Sequence, residues 1–366
     1  MFRNVDIWGP AILRQKITRA FRRAGCAGTR HIIFCIADHF EPGWRGATRK
    51  RRLERVETWV RHYPRLAESH RDCEGRPVQH TWFCAADEYD PACLDNIAQL
   101  CRRGFGDIEL HLHHENDTPG GFRDKLAEAI SLFSAHGALV TNRGTGGYAF
   151  GFIHGNWALN NSRDGKWCGV DNELAILKSC GCYADFTLPS APLESQTRKI
   201  NSIYYAEDIP DRRKSHDTGK DVIAGGKEKG DLMLIQGPLA LNWKRKKYLI
   251  LPRIENGCIQ GNDPGSPDRV DLWVDQSIHV RGRPDWIFIK VFCHGAQEAD
   301  YDALLGGAAD RMLEYLESEY NDGTRYRLHY VTAREMYNII KAAEEVRSGD
   351  PGWHRDYRIG PYRYCS

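Results

Sequence analysis

The amino-acid sequence predicts an α/β protein whose parallel strands close into a single barrel. Three observations predict it: short apolar runs alternate with segments of helical period, seven or eight such units recur, and no repeat or boundary divides the chain. With 366 residues, 41% of them hydrophobic, and Lys+Arg 51 against Asp+Glu 49, the chain is neither disordered nor collagen-like and can bury one large core.

Residues about 11–24 place Ile12, Leu13, Ile17, Ala20 and Phe21 at helical spacing, with Arg14, Lys16, Arg19, Arg22 and Arg23 between them. This basic amphipathic helix is read as packed on the barrel with its charged face in solvent; peripheral contact with an anionic membrane is the alternative. Strands are predicted at 32–36, 80–84, 108–112, 148–153, 182–186, 232–235, 286–292 and 327–331. Between them, Leu126, Ala129, Ile130 and Phe133 share one face of a helix that stops at Gly137. Asp171 is expected to cap a helix carrying Leu174 and Leu177 that stops at Gly181. Thr332 and Glu335 have capping-box spacing ahead of Met336, Ile339, Ile340 and Ala343.

The alternation fails between about 195 and 285, where Gly, Lys and Asp cluster and proline-rich pieces follow, so this stretch is read as an elaboration inserted into the barrel. The run Lys244-Arg245-Lys246-Lys247 reads as a solvated turn, and with a net charge of +2 nucleic-acid binding is disfavoured. No run of 18 apolar residues occurs, and the N-terminus lacks the order of a signal peptide, so a cytoplasmic protein is expected. The twelve cysteines are scattered, several within strand-like runs, and are read as reduced core residues.

The residues with chemical potential sit just after the strand runs, where a parallel barrel gathers its loops. The first strand leads into Asp38-His39 and then Glu41, the second into Asp87-Glu88, and the third carries His111, His113 and His114 ahead of Glu115. The fourth leads into His154, Asn156 and Trp157, the fifth carries Asp185, and the seventh ends at Cys293-His294. If all these strands are parallel, the groups converge on one mouth. Three imidazoles in four residues is a metal-ligand pattern, and His111 and His113, two apart, face the same side of a strand. Asp38 closes an otherwise apolar strand, where an unpaired carboxylate is costly, so it is expected to meet a cation or a proton to abstract. His294 suits a general acid. His154 and Asn156 suit polar substrate contacts, and Trp157 offers a face on which a sugar ring can stack or a cap for the barrel mouth. There is no serine elbow and no phosphate-binding loop.

In the order of these motifs, over roughly residues 30 to 335, the chain resembles the polysaccharide deacetylase superfamily, the NodB-like carbohydrate esterases. The resemblance implies a distorted (β/α)7-type barrel, a carbohydrate substrate and a divalent ion, zinc before cobalt, nickel or iron. It implies a hydrolase that removes N-acetyl or similar acyl groups, with Asp38 as base, His294 as acid, and His39 with His111, His113 and His114 as the metal ligands. His154, Asn156, Trp157 and Asp185 would line the substrate groove. The chain departs from the family in two places. His39 stands where the family has a second aspartate, so if Asp38 is instead the ligand, the base falls on Glu41 or elsewhere. Four residues beyond His111, where the family has its second histidine, stands Glu115. Two rivals remain: a glycoside hydrolase pairing Asp38 with Asp87, Glu115 or Asp185, and a catalytically inactive carbohydrate-binding relative.

Overall fold

The longest strand, β1 (Arg30–Phe40), is buried over nearly all its length and forms the spine of the sheet. The computed structural model describes residues 3–22, 28–141, 146–247 and 250–365, and of residues 16–22 and 247 the backbone alone. The other strands are β2 (His80–Ala85), β3 (Gly106–Leu112), β4 (Val140–Thr141), β5 (Tyr148–His154), β6 (Cys182–Asp185), β7 (Ile203–Ala206), β8 (Lys220–Asp221), β9 (Leu232–Ile235), β10 (Ala240–Lys247), β11 (Leu251–Glu255), β12 (Cys258–Ile259), β13 (Trp286–Cys293) and β14 (Tyr326–Tyr330). The helices are α1 (Val5–Arg22), α2 (Arg49–Ser69), α3 (Pro91–Arg102), α4 (Pro119–Ser134), α5 (Glu173–Ser179), α6 (Pro267–Gln276), α7 (Tyr301–Leu305), α8 (Gly307–Tyr320) and α9 (Ala333–Glu344).

All eight expected strands form, within a residue or so at most ends, and they pair in parallel. The sheet runs β12-β13-β1-β2-β3-β5-β6-β9-β7-β8. β1 lies beside β13 from His31 to Asp38, while its other edge pairs first with β14 and then, from Ala37, with β2. Such parallel pairing requires crossovers, and α2, α3, α4 and α5 supply them. Thr48, Asp90 and Thr118 start α2, α3 and α4, each side chain accepting an N–H of the first turn. The capping box at Thr332 and Glu335 forms as expected at the start of α9. Asp171 does not cap α5: Asn172 holds that position, and the Asp171 carboxylate accepts the Asn161 side-chain amide instead.

Alternation along each strand divides the core in two. Ile32, Phe34, Ile36, Trp82, Leu110 and Phe152 pack on one face among the residues of α2 to α6 and α8. Ile33, Cys35, Ala37, Phe83, Ile153, Tyr183 and Phe288 pack on the other, together with Met336, Ile339 and Ile340 of α9. The C-terminal helix therefore fills the concave side of the sheet. Lys290, on that side and fully buried, braces it by donating from Nζ to the carbonyls of Phe186 and Leu188 at 2.6 Å each. Among the described residues the strand ladder runs from β12 to β8 without pairing those ends to each other. A single parallel bridge, Ile223 with Arg281, and the bond from Phe288 N–H to Ile278 C=O bring the 278–281 segment against both margins.

The stretch around 195–285 holds β9, which joins the sheet in parallel beside β6. It contributes β7, antiparallel to its neighbours, and the separate β10–β11 hairpin. α1 buries Trp8 and Ile12 against Ala191, Ile200 and Leu239 near that hairpin. The side chains at 16–22 and residues 23–24 of the expected basic helix lie outside the described residues. No described helix is long and apolar enough to cross a membrane.

Glu109 is buried on the concave side, where the hydroxyls of Tyr183 and Tyr362 and the Gly151 N–H donate to it. Burial outweighs those bonds and pushes its carboxyl up to about 8. The folded chain thus holds this proton at pH values where the unfolded chain has released it, so stability falls as pH rises from about 4.5 to about 8. Urea unfolding should show the midpoint falling across that window, and Glu109→Gln should flatten part of the fall.

Candidate functional site

Three ligand-type side chains meet at the carboxyl ends of β1 and β3. His39 and Glu41, two apart, and His111 place one nitrogen or oxygen each within 4.8 Å of one another, and all three are buried. His111 Nε2 is 2.9 Å from Glu41 Oε1, and His111 Nδ1 is 3.0 Å from the Ile153 carbonyl. That carbonyl can only accept, so it fixes the proton on Nδ1 and leaves the Nε2 lone pair facing the carboxylate. His39 Nε2 is buried without a hydrogen-bond partner. A lone pair aimed at a carboxylate beside an orphaned imidazole nitrogen is repulsive unless a proton or a metal cation lies between them. These residues therefore fit a divalent ion: two neutral imidazoles and one carboxylate, the donors of a site that keeps a position open.

The electrostatics agree. Burial drives His39 well below the usual imidazole range, helped by His294 and His111 nearby. Burial alone would raise Glu41, but the imidazoles of His111 and His113 against it outweigh burial and hold its carboxyl well below the usual range. His113 sits at the rim with Nε2 3.3 Å from Glu41 and Nδ1 3.1 Å from Asp87. Burial alone would lower it, yet those two carboxylates push it up to about 10, so it carries a proton at neutral pH. His294, lowered by burial although Glu41 and Asp38 pull the other way, stays neutral. Its ring lies 5.0 Å from His39 and 5.6 Å from Trp157, centroid to centroid.

Beside this cluster opens a cavity of about 430 Å³. Trp157, Phe292 and His294 line its inner side, and the 190–193 loop with β11 lines the outer side. Trp157 stands in a left-handed backbone conformation that its neighbours His39 and Phe292 hold in place. Gly155 leaves room for the His113 ring: a Cβ there would lie 2.3 Å from His113 Cδ2. Asn156, also left-handed, offers its carbonyl to Arg163.

The other expected residues lie elsewhere, and strand alternation is the reason. Asp38 follows the opposite face from His39 and is fully buried, accepting the Gly295 N–H at 2.6 Å and lying 2.9 Å from His80 Nε2. Trp59 donates to the Gly295 carbonyl, and a Cβ on Gly295 would lie 2.1 Å from Asp38, so that peptide is clamped on both sides. His114 likewise faces away from His113, stacked on Phe122 of α4, with His154 and Glu173 beside it. Asp185 accepts the Thr187 N–H and hydroxyl, and burial pushes its carboxyl up to about 7. The structure thus brings together His39, His111, His113, Trp157 and His294, and sets Asp38, His114, His154 and Asp185 apart from them. Sequence reasoning missed Glu41 as a candidate ligand and Asp87 as the partner of His113. The spacing of Glu41, two beyond His39, was the available signal.

A comparison with known protein families and with characterised proteins finds no match for this chain.

Two outcomes follow from the geometry. Asp38→Ala strips a buried acceptor from Gly295 and His80 and should lower stability by about 3 kcal/mol, read from urea unfolding. In chelator-treated protein, Asp87→Asn should move the His113 titration, followed by NMR, down toward the ordinary imidazole range.

Proposed function

We propose that this chain is a metal-dependent hydrolase that removes acetyl or similar acyl groups from an amino-sugar or polysaccharide substrate, within a distorted barrel of the deacetylase type. The observation that carries the reading is the His39, Glu41 and His111 triad, with its unpartnered imidazole nitrogen, opening beside an apolar-walled cavity. The motif order supports the substrate class. Zinc suits two imidazoles and a carboxylate best; cobalt, nickel or iron can take the same donors.

When bound, such an ion supplies Lewis acidity toward a carbonyl and toward water. The chain's own residues do the rest. Trp157 and Phe292 present ring faces to the cavity, against which a sugar ring can lie. Neutral His294 is placed to take a proton, and protonated His113 to return one to a departing amine. In this reading Asp38 does not reach the substrate. It fixes the peptide of Gly295, and through it His294, so the base expected at Asp38 passes to His294. A cytoplasmic location remains part of the proposal.

The test is acetate release from N-acetylated oligosaccharides by protein loaded with zinc or cobalt. We expect release that disappears on chelation and returns with metal. His39→Ala and His111→Ala should each lose both activity and one ion by elemental analysis; metal-independent release, or unchanged ion content in both variants, would defeat the reading.

A further inference from the structure

A second set of ligand atoms lies away from the mouth, under α4 and α5. His114, His154, Cys168 and Glu173 place one atom each within 4.8 Å of one another, all four buried. His114 Nε2 and His154 Nε2 lie 3.0 and 3.3 Å from the same Glu173 oxygen, and Cys168 Sγ lies 3.6 Å from the other. Ligands around a tetrahedral zinc are separated by about 3.3–3.8 Å, given bonds of about 2.0–2.3 Å. The spacing is close to that of a filled site.

The proton arrangement points the same way. His154 Nδ1 is 2.6 Å from the Gly155 carbonyl, which can only accept, so its proton is there and Nε2 carries a lone pair. His154 Nε2 is buried with no hydrogen-bond partner and faces the Glu173 carboxylate. His114 Nε2 lies 3.0 Å from the same Glu173 oxygen, and its Nδ1 is buried without a hydrogen-bond partner. An imidazole held by a backbone carbonyl on its far nitrogen, as His154 is, is the usual surrounding of a metal-bound histidine. The Asn160 N–H donates to the other Glu173 oxygen and so fixes the carboxylate. Without an ion, the unpartnered His154 Nε2 faces a buried carboxylate oxygen in a site closed to water.

We propose that His114, His154, Cys168 and Glu173 bind a second divalent ion of the zinc class, which staples the 155–172 loop to the ends of β3 and β5. With four protein ligands and no open position, the ion is structural. Cys168 binds as the thiolate, its proton released to solvent. The loop has need of a staple: Asn156, Trp157, Asn160, Asn161, Asp164 and Trp167 all adopt left-handed backbone conformations, which side-chain-bearing residues seldom hold unaided. Trp157, which flanks the cavity, rides on this loop.

Cobalt reconstitution of the full chain separates this site from the mouth, because only this one contains sulfur. Cobalt-loaded wild type should show thiolate-to-cobalt absorption in the near ultraviolet. That band should vanish in Cys168→Ser and persist in His39→Ala, a result independent of whether the hydrolase reading holds. A folded wild type with no such band, or a band that survives Cys168→Ser, overturns the proposal. Should Cys168→Ser fail to fold, X-ray absorption of the zinc-loaded wild type decides: one sulfur neighbour in a zinc shell supports the site, and none refutes it.

Discussion

The two-residue period of the central strands is the constraint on which the rest of this structure depends. A strand residue and its successor point to opposite faces, so a run such as Asp38-His39 or His113-His114 cannot deliver both side chains to one place. The protein uses both faces. One receives His39, Glu41, His111 and His113; the other receives Asp38, His80, His114 and His154 beneath the helices. What looks in one dimension like a single dense cluster is two populations separated by a sheet.

The concave face is unusual in what it buries. Glu109 and Lys290 both lie there, each deprived of water and each answered by polar partners: tyrosine hydroxyls and a backbone N–H for the carboxyl, two backbone carbonyls for the ammonium. Burial lowers Lys290 to about 8 while it raises Glu109, so each is pushed toward its neutral form. On the same face, Met336, Ile339 and Ile340 of α9 provide apolar contact. The concave side is thus a packed interior, and open space is found at the carboxyl ends of the strands, beside Trp157 and His294.

Much of the fold was legible because apolar runs bounded by glycine and capped helices carry strong local signals. The eight parallel strands, the capping box at Thr332 and the stops near Gly137 and Gly181 all follow from local pattern. β7 and the β10–β11 hairpin were not legible: they are short or polar, and tertiary contacts rather than periodicity hold them. For the site, the sequence pointed to the right loops but not to the right faces. Applying the alternation that pairs His111 with His113 to Asp38 and His39 would have parted them, and it would have joined Glu41 to His39. Glu173 and Cys168 carried no signal, because their meeting with His114 and His154 is made by the return of a loop and not by spacing along the chain.

Gly295, held by Asp38 on its N–H and by Trp59 on its carbonyl, fixes the main chain beside His294, whose ring packs against His39 and Trp157. That ring is oriented when the chain folds and does not have to be gathered from many rotamers when a molecule enters the cavity. Under the proposed function, reorganisation at the moment of reaction would thereby be small, which is the condition under which fixed groups stabilise a transition state most effectively. A carboxylate on the far side of the sheet can in this way govern the setting of a ring it never touches.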